Sequence, residues 1–200
     1  MSSSWEIPTA ESELKLVTKE LSQLWLRPGE RLLLACVPIS GYVGLLLDGE
    51  LRLPHEPLSP MPEVTLGTPR WPLPAAFTIE SRGADWADDP TVAFWASARD
   101  PAQHAVRFAD HFAHSQGEAG LTLTSQRVAV VYPARILADA ASRHAFVTVC
   151  ELAPQSVRSV SGAHVGRSIP NPLVIRVDFA DGSTLFVRDP LAARRLTPGT

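Results

Sequence analysis

Apolar and polar residues alternate most regularly in Leu173–Arg188, LVIRVDFADGSTLFVR, where two apolar runs flank Ala180-Asp181-Gly182. Such a run with a turn residue at its centre predicts a β-hairpin. A two-residue Asp-Gly turn would pair Val177 with Phe186 and Ile175 with Arg188. A three-residue loop with a bulge at Gly182 pairs Val177 with Leu185 and Ile175 with Val187. A one-residue slip turns a whole strand over, so the second register, with apolar pairs on one face, is expected. Arg176, Asp178, Thr184, Phe186 and Arg188 then share the other face.

The same period of two marks other strands. It predicts strands within Gly120–Pro133, with a turn at Ser125-Gln126, and at Phe146–Leu152, with a short one at Val157–Val160. Glu30–Pro38 is continuously apolar and predicts a strand buried on both faces. Val43–Leu47, Asp48-Gly49 and Glu50–Leu53 predict a second hairpin. Phe77–Glu80 is a candidate short strand, and Thr91–Ala98 is open between strand and helix.

A period of 3.6 marks two helices. Residues 9–26 place Leu14, Val17, Leu21, Leu24 and Trp25 on one stripe, capped by Thr9 or Ser12 and stopped by Pro28-Gly29. Residues 101–116 follow Asp100, an expected N-cap, and Pro101 at the first helical position. Ala105, Phe108, Ala109 and Phe112 form the apolar face. Pro190–Leu196 predicts one or two helical turns. Between these elements, residues 54–74 hold seven prolines in twenty-one residues. That density predicts a surface connector rather than a strand.

Composition adds bounds. Two hundred residues, 45% apolar and 20% charged, describe a globular chain large enough to need no staple. Cys36 and Cys150 lie in apolar runs and are expected as buried free thiols, with a bridge between them left open. The N-terminus has no secretory pattern and no run approaches a membrane span, so a cytoplasmic protein without an integral membrane segment is expected. Net charge divides unevenly: −7 over residues 1–119 and +4 over 120–200. The arginines of the second half are scattered singly, which favours mutual neutralisation of two halves of one domain. The acidic, proline-rich stretch argues against nucleic acid.

Three segments together resemble a known family. Gly120–Val131 fits G-L-T-L-T-x-x-R-hydrophobic, Ala153–Val160 fits x-P-x-S-V-x-S-V, and Ile175–Gly182 fits I-R-V-x-F-x-D-G. With Pro28-Gly29-Glu30-Arg31-Leu32-Leu33 as a first strand, they resemble bacterial PH-like or GRAM-like domains over residues 28–38 and 120–196. The resemblance implies an α+β fold: a mainly antiparallel bent sheet or partial barrel, closed by a C-terminal helix. It also implies a protein- or lipid-binding module without catalytic residues. Residues 1–27 would be an N-terminal helix packing on a single domain, 28–200, interrupted by an insertion at about 39–119. The family's lipid site falls in that acidic insertion, so none of its residues transfers. A two-layer α+β fold of other topology is the alternative.

Candidate chemistry is sparse. His104, His111 and His114 lie on one predicted helix and share faces in pairs, which makes them candidate metal ligands, although the spacing is not His-Glu-x-x-His. With Asp110 they are also the candidates for a hydrolase or metal-dependent enzyme. Asp85, Asp88 and Asp89 are candidate cation ligands, with a solvated loop as the simpler reading. No nucleophile elbow or phosphate loop occurs, and no cofactor is expected. The function expected is a non-enzymatic interaction module working through protein–protein contacts, as a subunit of a larger assembly or a homodimer through helix 9–26. A small-molecule or lipid-binding domain with a pocket between sheet and helix 101–116 is the alternative. Arg176, Phe186 and Arg188 are the expected partner-binding residues.

Overall fold

The computed structural model describes residues 10–36, 38–67, 71–74, 78, 83–138 and 144–196. The expected cap Thr9 and most of the candidate strand at 77–80 lie outside them. Three α-helices among the described residues are α1 (Ala10–Leu24), α2 (His104–His114) and α3 (Pro190–Leu196). The strands are β1 (Leu32–Ala35), β2 (Tyr42–Leu47), β3 (Glu50–Arg52), β4 (Val92–Ala98), β5 (Gly120–Thr124), β6 (Val128–Pro133), β7 (Phe146–Leu152), β8 (Val157–His164), β9 (Leu173–Phe179) and β10 (Thr184–Val187). They form two sheets, in the orders β1-β5-β6-β7 and β3-β2-β4-β10-β9-β8. All neighbours are antiparallel except β2 and β4. The fold is α+β, and the sheets do not close into a barrel.

The β9–β10 hairpin has the three-residue-loop register. Val177 pairs with Leu185 and Ile175 with Val187, all four are buried, and Gly182 takes a φ of 86°. Its loop also starts α2. Asp181 Oδ2 accepts from the His104 backbone N–H at 2.6 Å and Ser183 Oγ from that of Ala105 at 3.1 Å. These are two of the N–H groups a helix start leaves unpaired. The helix therefore begins after Gln103, not after the expected Asp100 cap. Asp100 closes a local turn instead, accepting from the Ala102 N–H at 2.8 Å.

Leu121, Val128 and Val130 of one sheet and Phe94, Ile175, Val177, Leu185 and Val187 of the other meet in a single core. The apolar face of α2 fills it, with Phe112 stacked on Phe94 at 4.2 Å between ring centroids and Phe108 beside Phe179. Leu123 and Val149 pack at its margin. α1 lies on the outer face of the four-stranded sheet, where Leu21, Val17 and Trp25 meet Ala35, Ala129 and Val131. Leu24, expected on that stripe, is exposed.

Several expectations are corrected. β1 and the β9–β10 hairpin, expected in one sheet, lie in different sheets, because alternation says which face a strand buries but not beside which strand. The β1–β5 register shifts between Leu32 and Leu34, and Leu33, at that irregularity, is exposed rather than buried on a second face. β8 runs four residues beyond Val160, held by a full ladder with β9. Thr91–Ala98 resolves as strand, and residues 83–88, within a stretch expected as a loop or turn, form a 3₁₀ turn. Residues 39–119 supply three strands of the six-stranded sheet and the central helix. Cys36 and Cys150 are free and buried, and burial pushes both thiols up in pKa.

Candidate functional site

The outer face of the six-stranded sheet carries two cross-strand rows of contrasting size. One runs Arg176, Phe186, Trp95, Gly44 across β9, β10, β4 and β2. The next runs Asp178, Thr184, Ser97, Leu46 across the same strands. Phe186 stacks on Trp95 at 5.2 Å with 12° between the rings, and the Arg176 guanidinium stands 5.9 Å from the Phe186 centroid. Large rings beside short hydroxyl side chains leave a recess of about 280 Å³, bounded by Leu46, Trp95, Ser97, Arg176, Thr184, Phe186 and Val165.

Around Gly44 that face is covered. The 3₁₀ turn lays Trp86 over Gly44, where an added Cβ would come 2.5 Å from the indole. Arg188 clamps the turn to the sheet, donating from Nε to the Val92 carbonyl at 2.7 Å and from a terminal nitrogen to that of Trp86 at 3.1 Å. Asp88 accepts from the Arg167 N–H at 2.7 Å and the Ser168 N–H at 3.0 Å, which holds the loop bearing Val165. The Ser168 hydroxyl and that Arg167 N–H keep its carboxyl below the ordinary range.

Of the three expected partner-binding residues, Arg176 and Phe186 line the recess and Arg188 is committed to backbone carbonyls. Arg176 is half exposed and paired with Asp178 at 2.9 Å. Burial raises the Asp178 carboxyl, but Arg176, Thr184 and Ser159 together bring it below its ordinary pKa. The recess thus offers an aromatic wall, a hydroxyl floor and a guanidinium at the rim. That suits an apolar side chain carrying a polar or acidic neighbour, and the residue types are those that dominate binding energy at interfaces.

The histidines of α2 diverge. His104 Nδ1 stands 3.8 Å from Asp181, His111 Nδ1 is 3.3 Å from the Tyr132 hydroxyl, and His114 Nε2 is 2.6 Å from the Pro62 carbonyl. Among the described residues no group of three His, Cys, Asp or Glu side chains is placed to hold a metal ion. Asp88 and Asp89 also separate, Asp89 accepting from Thr78 and Thr91.

Asp110 finds a partner the sequence did not flag. His55 Nε2 lies 2.7 Å from its Oδ1, both side chains fully buried. Ser59 donates to Oδ2 through its N–H at 3.0 Å and its hydroxyl at 2.7 Å. Burial alone would raise the Asp110 carboxyl; His55, Ser59 and the Leu58 N–H lower it instead. Ser, His and Asp meet here, but the hydroxyl is given to the carboxylate rather than to the imidazole. The contact that activates a serine is therefore not made. The cluster fastens the proline-rich strap, residues 54–66, to the central helix. His55 sits in Leu-Pro-His-Glu-Pro, and no local periodicity marks it.

Comparisons with protein-family models, curated proteins and solved structures each find no match. Among the described residues no helix is long and apolar enough to cross a membrane.

Proposed function

We propose that the protein is a non-enzymatic interaction module that binds a protein partner through the outer face of its six-stranded sheet. The observation that carries this reading is the recess beside the partly buried Phe186, which stacks on the buried Trp95, with Arg176 at its rim. Its surroundings are anchored by Arg188 and Asp88, so the surface is held in shape before any partner arrives. A preorganised recess saves the cost of ordering side chains on association. The resemblance to PH-like interaction modules points to the same kind of role.

The test is affinity purification from the organism of origin with quantitative mass spectrometry. Wild-type bait is compared with Ser97→Phe, which fills the recess, and Arg176→Glu, which reverses the rim charge. A partner that copurifies with wild type and is lost from both variants, while their melting curves stay unchanged, supports the reading. Partners retained by both folded variants refute it.

A further inference from the structure

β7 ends the four-stranded sheet. Residues alternate between faces of a strand, so a recess that touches consecutive residues lies along the strand's edge. Phe146, Val147, Thr148 and Val149 all line one recess of about 530 Å³. It shares Pro62 and Val149 with a neighbouring recess of about 320 Å³ between the strap and α2. The two form one trench along an open backbone edge. Its far wall is built: His114 holds the Pro62 carbonyl, and the strap's backbone bonds Ile136 and Ala138 at 2.8 and 3.0 Å.

The ends of the trench differ in chemistry. Leu137, Phe146 and Val147 make the larger end apolar, with the exposed carboxylate of Glu63 beside it. The smaller end holds Arg107 and His111, one helical turn apart on α2. The Arg107 guanidinium is exposed and has no carboxylate partner among the described residues. His111 is 8% exposed. The Tyr132 hydroxyl donates its proton to the His111 carbonyl at 3.0 Å. The His111 Nδ1 facing that oxygen is therefore the N–H of the ring. Nε2 is left as a lone pair, with no hydrogen bond among the described residues. Burial is the main reason His111 stays neutral, its pKa lowered to about 4; Asp110 opposes the shift and Arg107 adds to it.

An open strand edge takes an extended backbone, an unpaired guanidinium takes a carboxylate, a bare imidazole nitrogen takes an N–H, and an apolar recess takes an apolar side chain. We infer that this trench captures the free C-terminus of an extended peptide with apolar terminal residues. The terminal carboxylate pairs with Arg107, a backbone amide donates to His111 Nε2, and the chain runs parallel to β7 with an apolar side chain in the larger recess. Glu63 at the far end disfavours a second negative charge there. The site is separate from the recess at Trp95 and Phe186 and does not depend on it.

The test uses fluorescein-labelled octapeptide pools, randomised upstream and ending in two apolar residues, made as free acids and as amides. Anisotropy titrations with wild-type protein are expected to give binding by the acid pool and at least about tenfold weaker binding by the amide pool. Arg107→Gln, at an exposed position, should keep the wild-type melting curve and lose the acid's advantage. Acid and amide pools binding alike would overturn the inference. So would an acid preference that survives in Arg107→Gln, or no binding by the acid pool at protein concentrations up to about 100 µM.

Discussion

The outer faces of the two sheets use the same residue types to opposite ends. On the four-stranded sheet Arg127 is buried beneath Trp25, just past the end of α1, its guanidinium 4.0 Å from the centre of that ring. It bonds both oxygens of Glu30 at 2.8 and 3.0 Å and Glu151 at 2.9 Å. On the six-stranded sheet Arg176 stands over a ring but keeps 47% of its side chain exposed and holds one carboxylate. An arginine on an aromatic ring is thus a fastening where the chain covers it and stays open to solvent where nothing does. What separates them is cover, which neither stretch of sequence reveals.

That contrast can be broken from its strongest side first. Arg127→Ala leaves Glu30 buried without its partner and is expected to cost about 3–5 kcal/mol in urea unfolding. Arg176→Ala should stay within about 0.5 kcal/mol, as substitutions at exposed positions do. A loss at Arg176 comparable to that at Arg127 would erase the distinction.

Acid should act on the covered side and the core in two stages. Burial lowers His111 from 6.5 to about 4, so the unfolded chain takes up a proton before the folded one does. Its contribution is lost as pH falls from about 6.5 to about 4. For Glu30, burial raises the carboxyl, but Arg127, Thr124 and the Arg27 N–H outweigh it and bring 4.5 down to about 2. Its contribution is present above about 4.5 and lost as pH falls toward 2. Stability measured against pH should lose the upper stage in His111→Gln and show a smaller lower stage in Glu30→Gln, where the other depressed carboxylates, Asp110 among them, still contribute. The upper stage is not expected to change in Arg176→Ala, which acts on the carboxyl of Asp178 alone.

A smaller effect is expected at the strap. Ser59→Ala removes one hydroxyl donor from Asp110 while the Ser59 N–H and His55 remain, and should cost about 1 kcal/mol in urea unfolding. Phe186→Leu is comparable in size. It keeps most of the apolar contact with Trp95 and should cost about 0.5–1.5 kcal/mol while weakening partner binding more than folding.

The hairpin register and the apolar face of α2 were legible because they rest on local signals: a period of two around a glycine turn, and a period of 3.6. The candidate partner face was legible to the same extent. Arg176 and Phe186 lie together as the register requires, while Arg188 was drawn away by carbonyls some hundred residues earlier in the chain. Trp95 and Ser97, which complete the recess, come from a strand whose position beside β10 no alternation encodes. His55 and Asp110 are fifty-five residues apart and meet only because the strap crosses the central helix.

By itself, then, the sequence determined which residues of the β9–β10 hairpin and of α2 turn inward, since the backbone imposes that geometry on any chain. The tertiary structure decided the rest. It sorted the strands into two sheets and laid β2 parallel to β4. It capped α2 with Asp181 from another hairpin and covered Arg127 but not Arg176. Each of these joins groups far apart in the chain, and their pairing is set by the competition of all segments for one core.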